Sequence, residues 1–489
     1  NGSSLRNVIS WSTITSNNST GYSALYLLGG ASNTVVDSYI QGSTAALVTG
    51  STGTMIGGSV LVATNTAGAA LALTGGNVNL RLSSSVLTAF MGTAGAKHLY
   101  LDKYNKGWLV FSTNTLSGGQ YGAYVSSQVA GAQVWFTSNT ILVSTSAVNA
   151  TYGLYVNGLL GGATIQNNGI YYRRNGAATV GATAFYVNAS SGIVFERNRI
   201  NNPGMITGGV FVGADLVNTD NTIFSYNDMH SSAPAIGTAI MLRLNTNSSG
   251  LSLRNNIFFS SFTTPTVSSG TVIVVDDASK TGFSANYNDY ASSNTALGFI
   301  WGATGGRLSL ASWQTAVDPN DANSISAHTL WYDTGAGVED FHPKSTVLNG
   351  RFYPVTGAFD QPADAFHSPT IDAGAPVTEE PFANEPAFNG GRVNQGSYGN
   401  TPESSKSVAP AAFPGCVETR NVGSGETYGT ITSALASLPS TLTGHTTYWR
   451  RYLGERFFTI GSGDGSSSRP RNGRPPMAGS RSVRTRADA

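Results

Sequence analysis

Five short stretches decide how this chain folds: Phe136-Thr137-Ser138-Asn139-Thr140-Ile141, Ile165-Gln166-Asn167-Asn168-Gly169-Ile170, Phe195-Glu196-Arg197-Asn198-Arg199-Ile200, Phe224-Ser225-Tyr226-Asn227-Asp228-Met229 and Leu253-Arg254-Asn255-Asn256-Ile257-Phe258. Each has an asparagine with an apolar residue three positions before it and another two positions after. Continued in both directions, the anchor column reads Ser12, Ser38, Ser59, Ser85, Asn114, Asn139, Asn168, Asn198, Asn227, Asn256 and Asn286, with steps of 29 or 30 residues from Asn139 onward. A constant period of this length marks a repeat architecture.

The column three positions earlier is wholly apolar, from Ile9, Val35 and Ile56 to Leu253 and Phe283. Two positions after the anchor come Ile14, Ile40, Leu61, Leu87 and so on to Phe258, and only Asn288 breaks the pattern. The position two before the anchor is mostly polar, so the alternation has period two and the segments are strands. Further strand-like segments lie between the anchors, such as Tyr152-Gly153-Leu154-Tyr155-Val156 and Ala184-Phe185-Tyr186-Val187. The prediction is an all-β, right-handed parallel β-helix of about eleven coils. Coils stack about 4.8 Å apart, so equivalent side chains sit above one another. An asparagine so placed can donate and accept along the row, forming a structural ladder of Asn114, Asn139, Asn168, Asn198, Asn227, Asn256 and Asn286. The alternative is that asparagine stands there because it tolerates left-handed turns.

Composition agrees with a stacked, neutral wall. Charged residues make up 11% of the chain and glycine 59 of its 489 residues, against roughly a quarter charged in an average soluble domain. The one cysteine, Cys416, rules out an intrachain disulfide framework. No apolar run is long enough to span a membrane as a helix. The first repeat is under way by Ile9, so the chain reads as a piece of a longer protein whose signal peptide, if it has one, is not in this segment.

After Asn288 the period stops, and Ser368-Pro369-Thr370-Ile371-Asp372-Ala373-Gly374 is followed by Asn389-Gly390-Gly391-Arg392-Val393-Asn394-Gln395-Gly396 and Tyr398-Gly399-Asn400-Thr401-Pro402-Glu403. This succession resembles the end of bacterial surface proteins with right-handed parallel β-helix repeats, in the pectin-lyase-like superfamily. The resemblance covers about residues 1 to 405. It implies coils over 1–290, a closing segment over 291–405, and a secreted or cell-surface location. Residues 406–445 read as a linker and the start of a second β-helix module, with Ala434, Leu435 and Leu438 on a capping helix. Residues 446–489 carry nine arginines against three acids, a charge of +6 that leaves −5 for the rest of the chain. That tail is expected to be disordered or out of frame, and no nucleic-acid role is assigned to it.

Chemistry is harder to place. The superfamily's polygalacturonase type implies Asn-Thr-Asp, Asp-Asp, Gly-His-Gly and Arg-x-Lys on successive coils. Asn218-Thr219-Asp220 and Asp276-Asp277 occur, but the other two motifs do not follow them. A lyase would need a base opposite carboxylates that hold calcium against a uronate. The candidate catalytic patch for that is Glu196, Arg254, Asp228 and His230 with Arg197 and Arg199 beside them. Stacking places Glu196 and Arg254 in one column with Ser225 between. None of the six histidines has metal-ligand spacing, so no metal or other cofactor is assigned. Candidate ligand-binding residues are Tyr171, Tyr172, Tyr226 and Trp135, aromatic side chains on the middle coils that could stack on sugars. The resulting expectation is a monomeric extracellular β-helix protein with a structural, adhesive or glycan-binding role. Its alternative is a polysaccharide lyase or glycoside hydrolase.

Overall fold

A computed structural model describes residues 6–17, 21–89, 95–102, 104–126, 128, 131–144, 149–173, 180–204, 209–232, 238–261, 271–292, 298–302, 309–381, 384–387, 389–407, 448–452 and 456–460. Residues 406–489 otherwise lie outside this description beyond position 407, including the expected capping helix. The chain divides into two units, Asn1–Ala411 and Ala412–Ala489. In the second, Tyr448–Tyr452 pairs antiparallel with Arg456–Ile460.

The first unit is a parallel β-solenoid, as the period-two columns predict. Three sheets of eleven strands each run its length. The first begins with Val8–Ser10 and ends with Ser284–Asn286, the second runs from Thr13–Thr15 to Asp289–Ser292, and the third from Ser23–Leu28 to Gly298–Trp301. One strand of each sheet makes a coil, and every neighbour within a sheet is the equivalent strand of the next coil. The apolar columns become the core: Phe111, Phe136, Ile165, Phe195 and Phe224 are direct cross-strand partners on the first sheet. Ile141, Ile170, Ile200 and Met229 do the same on the second. Phe195 and Phe224 stack with ring centroids 4.4 Å apart and are fully buried, each worth about 2–3 kcal/mol of apolar burial.

A corner joins the first and second sheets in every coil. Its residue before the anchor has a left-handed backbone each time: φ is 56° at Ser138, 56° at Asn167, 53° at Arg197, 56° at Tyr226 and 58° at Asn255. Asparagine is therefore not selected for left-handed geometry, because that position lies one residue earlier and accepts Ser, Arg or Tyr. The anchors form a ladder instead. Asn168 Nδ2 donates to Asn198 Oδ1 at 2.9 Å and to the Phe136 carbonyl at 2.9 Å, while Asn139 N and Nδ2 both donate to Asn168 Oδ1. Both amide hydrogens and both acceptor sites of the side chain are thus used. The same pattern runs from Asn114 to Asn256. In the earlier coils a serine hydroxyl accepts from the preceding rung and donates within its own coil, as Ser59 does to Gly57 O.

The eleventh rung is Asn288, not Asn286. Asn256 Nδ2 donates to Asn288 Oδ1 at 3.0 Å, and the left-handed residue before it is Tyr287. The last step is 32 residues long, because a 3-10 turn at Asp277–Ser279 lengthens the coil. Asn286 instead ends the first-sheet strand as the partner of Arg254. With the rung moved, Tyr290 takes the place of the apparent exception and stacks on Phe258.

The ladder ends in a cap. Asn288 N donates to Ser324 Oγ, and Asp321, bonded to Ser324, accepts from Trp313 Nε1 at 2.6 Å. Trp313 lies on the helix Leu310–Ala316, whose N-cap Ser309 accepts from Ser312 N. Its fully buried ring stacks on Phe299 at 5.0 Å and covers the end of the core, the protection an end coil needs.

Substitution at one rung should separate ladder from turn. Asn198→Ser, which copies the rung of the early coils, is expected to cost about 1–2 kcal/mol. Asn198→Asp, which sets a carboxylate against the Ile165 carbonyl and Asn227 Oδ1, should cost more than about 3 kcal/mol in urea unfolding. Equal costs would argue for a corner with no amide ladder.

Candidate functional site

The charged patch spans the corner between the first two sheets: the column Glu196, Ser225, Arg254 ends strands of the first sheet, and Arg199, Asp228 and His230 lie on the second. That face is not open, however. The closing segment packs over it from Trp331 to Asn400. Asp228 is 1% exposed, with Oδ2 accepting from Ser397 N at 2.8 Å and Oδ1 from Trp331 Nε1 at 3.3 Å. His230, 6% exposed, bonds Asn201 Oδ1 through Nδ1 and lies against Phe259 and Trp331. Arg254 is paired with Glu379 and Glu380, and Glu196 with Arg197. Arg173 makes a two-pronged pair with Glu339. Arg173, Arg254 and Asp228 thus bond to the closing segment, which buries Asp228 and His230, whereas Glu196 and Arg254 stay partly exposed.

The left-handed corner residues serve the same contact. Tyr226 donates its hydroxyl to Glu380, Tyr287 donates to Glu379 at 2.5 Å, and Arg197 lies 4.7 Å from the Tyr226 ring. Tyr226 is 3% exposed and Tyr172 fully buried, while Tyr171 packs against the apolar cluster of Ile257, Phe259, Trp331 and Phe341. Tyr172 and Tyr226 present no open ring face, and Tyr171 is partly covered. Side chains alternate across a strand, and Tyr172 takes the inward position beside outward Tyr171. Trp135 does lie half-exposed on the outer side of the first sheet, between Val110 and Thr164.

A different aromatic array occupies the outer side of the third sheet. Tyr100, Tyr124, Tyr155 and Tyr186 are cross-strand partners in one column, and Tyr121 and Tyr152 are partners in the neighbouring one. All six are half-exposed. Within the long column centroids are 5.6, 4.7 and 4.7 Å apart, and the last two pairs stack within 16° of parallel. Tyr121 and Tyr152 lie 5.1 Å apart and stand 84–89° to Tyr124 and Tyr155. Partial burial raises the phenol pKa of Tyr100, Tyr121, Tyr152 and Tyr186, and that of Tyr155 to about 12. These five phenols are therefore uncharged at neutral pH. Its signal stood in the sequence: Tyr121-x-x-Tyr124 recurs as Tyr152-x-x-Tyr155, 31 residues on, and Tyr186 follows 31 after Tyr155.

The sequence reading also missed a second polar ladder, at the corner between the third and first sheets. Ser51 N donates to Asn77 Oδ1, Asn77 Nδ2 to Asn105 Oδ1, and farther along Thr219 N donates to Ser248 Oγ and Ser248 N to Ser279 Oγ. Mixed Asn, Ser and Thr at uneven spacing hid it. Among the described residues no group of three or more His, Cys, Asp or Glu side chains could hold a metal ion, and no helix is long and apolar enough to cross a membrane. Comparison with known protein families, curated proteins and solved structures found no match to this chain.

Docking of the closing segment has a pH signature. Burial pushes Asp228 up to about 6 and Asp289 up to about 7, above the ordinary carboxylate range. A raised folded-state value means that stability is fully present below about pH 4 and is lost as pH rises through 6 to 7. Asp289 accepts from Ala327 N and Thr329 Oγ1. Asp289→Asn, which carries no charge to bury, should therefore gain on the parent protein by about 1–3 kcal/mol between pH 5 and pH 8. Comparing the two at each pH cancels the buried His98 and His230, whose values burial lowers to about 4 and which act in the opposite sense. Urea midpoints that keep a constant difference across this range would refute the assignment.

Proposed function

We propose that this chain is an extracellular, non-catalytic β-solenoid that adheres to glycan through the tyrosine face of its third sheet. The observation that carries the reading is the array of six half-exposed tyrosines, continuous over four coils of a wall with few charges. Phenol rings combine an apolar face with a hydroxyl, the pairing that suits a sugar's C–H surface and its hydroxyl rim. The pectin-lyase-like resemblance of the closing segment supports a surface or secreted setting, as do the low charge and the single cysteine. Burial of Asp228 and His230 beneath the closing segment supports binding over cleavage, since it leaves only Glu196 and Arg254 of the lyase alternative's four groups partly exposed, each in an ion pair.

Retention on immobilised polysaccharides tests this directly. The double variant Tyr124→Ala, Tyr155→Ala should lose retention at least ten-fold, about 1.4 kcal/mol, while Trp135→Ala and Glu196→Ala keep it. Retention indifferent to the tyrosines, or the ultraviolet absorbance of unsaturated sugar products, would overturn the proposal.

A further inference from the structure

The ligand's shape and charge can be read from the same array, and the inference rests on the glycan-binding reading above. In the long column the rings from Tyr100 to Tyr186 advance by one coil at a time, and equivalent positions in successive coils are about 4.8 Å apart. Three such steps make a strip about 15 Å long and two columns wide. The strip has defined ends. Before Tyr100 its column continues as Ala72, and after Tyr186 it continues as Asp215. The neighbouring column continues from Tyr152 as Thr183.

The charges at the ends are already satisfied within the protein. Asp215 receives Arg243 Nε at 2.8 Å and Nη2 at 2.5 Å, and Asn245 Nδ2 at 3.1 Å. At the other end the Lys97 ammonium donates to Gly95 O at 3.0 Å and lies 5.2, 5.8 and 5.5 Å from the rings of Tyr100, Tyr121 and Tyr124. A cation held over three aromatic rings is already partnered, and a two-pronged carboxylate–guanidinium pair offers little net field to a ligand. Among the described residues the strip therefore has neither the cationic groove that an acidic polymer needs nor an acidic one.

We infer that the tyrosine strip binds an uncharged linear polysaccharide whose chain lies along the solenoid axis, with successive sugars meeting successive coils. A sugar repeat of about 5 Å keeps register with the coil rise over the strip's length. The strip then accommodates about four sugars, one for each ring of the long column. A chain crossing the axis would instead meet the two tyrosines of a single coil.

Calorimetric titration of the full chain with β-1,4-linked glucose oligomers of increasing length is the test, with polygalacturonate as the acidic comparison. Affinity should rise with each added sugar to about four and then level off. It should change less than about two-fold between low salt and 1 M NaCl, because screening acts on charges and not on ring contacts. Tyr186→Ala should move the plateau one sugar shorter, while Tyr155→Phe, which keeps the stack intact, should weaken binding without moving it. Tyrosine-dependent binding whose affinity is flat with length would overturn the axial register and leave the glycan-binding reading in place. Preference for polygalacturonate with steep loss in salt would overturn the uncharged class. Absence of binding to every glycan would overturn the underlying reading as well.

Discussion

Stacking coils 4.8 Å apart buries the polar groups of every corner where water cannot reach them, and this constraint governs the rest of the structure. Each turn between the first and second sheets needs one left-handed residue and leaves backbone groups that must find partners inside the wall. The asparagine amide meets the need because its four hydrogen-bonding positions match what the coil before and the coil after present. Serine does half of this work in the early coils. Once the corner is satisfied, the flanking apolar residues are forced inward two and three positions away, and the core columns follow.

The ends and sides of such a solenoid are where it can be elaborated. Helix Leu310–Ala316 covers the last coil with Trp313, and the ladder runs into that cap through Asn288, Ser324 and Asp321. The closing segment then turns back over the outer side of the second sheet. It uses buried carboxylates, Arg173, Arg199 and the corner tyrosines to hold itself there. Among the described residues, Arg173 and Arg254 form ion pairs where the closing segment meets the coils. The third sheet is left as the wall that displays an ordered aromatic surface.

Most of the fold was legible because stacking converts a sequence period directly into spatial columns. The rows from Ile9 and Ile14 onward match the observed pairing through Leu253 and Phe258. The error came at Asn286, where a constant period was carried across a coil lengthened by a turn, and the apolar column had already registered the slip at Asn288. The candidate site was less legible. Period alone says which side of a strand faces outward, but not which outward face a later segment will cover. Asp228, His230 and Tyr226 were read as surface because the packing of residues 331–400, a contact between distant parts of the chain, leaves no local trace. The tyrosine strip did leave one, the 31-residue recurrence on the third sheet.

The amide ladder, more than the apolar columns alone, holds the coils in register. Amide hydrogen exchange read residue by residue measures this most directly. The backbone N–H groups of Asn139, Asn168, Asn198 and Asn227, each donated to the next asparagine side chain, should be among the slowest in the protein and should open only with the coils themselves. Ladder amides that exchange as fast as those of exposed turns, while the strand amides beside them stay protected, would contradict it.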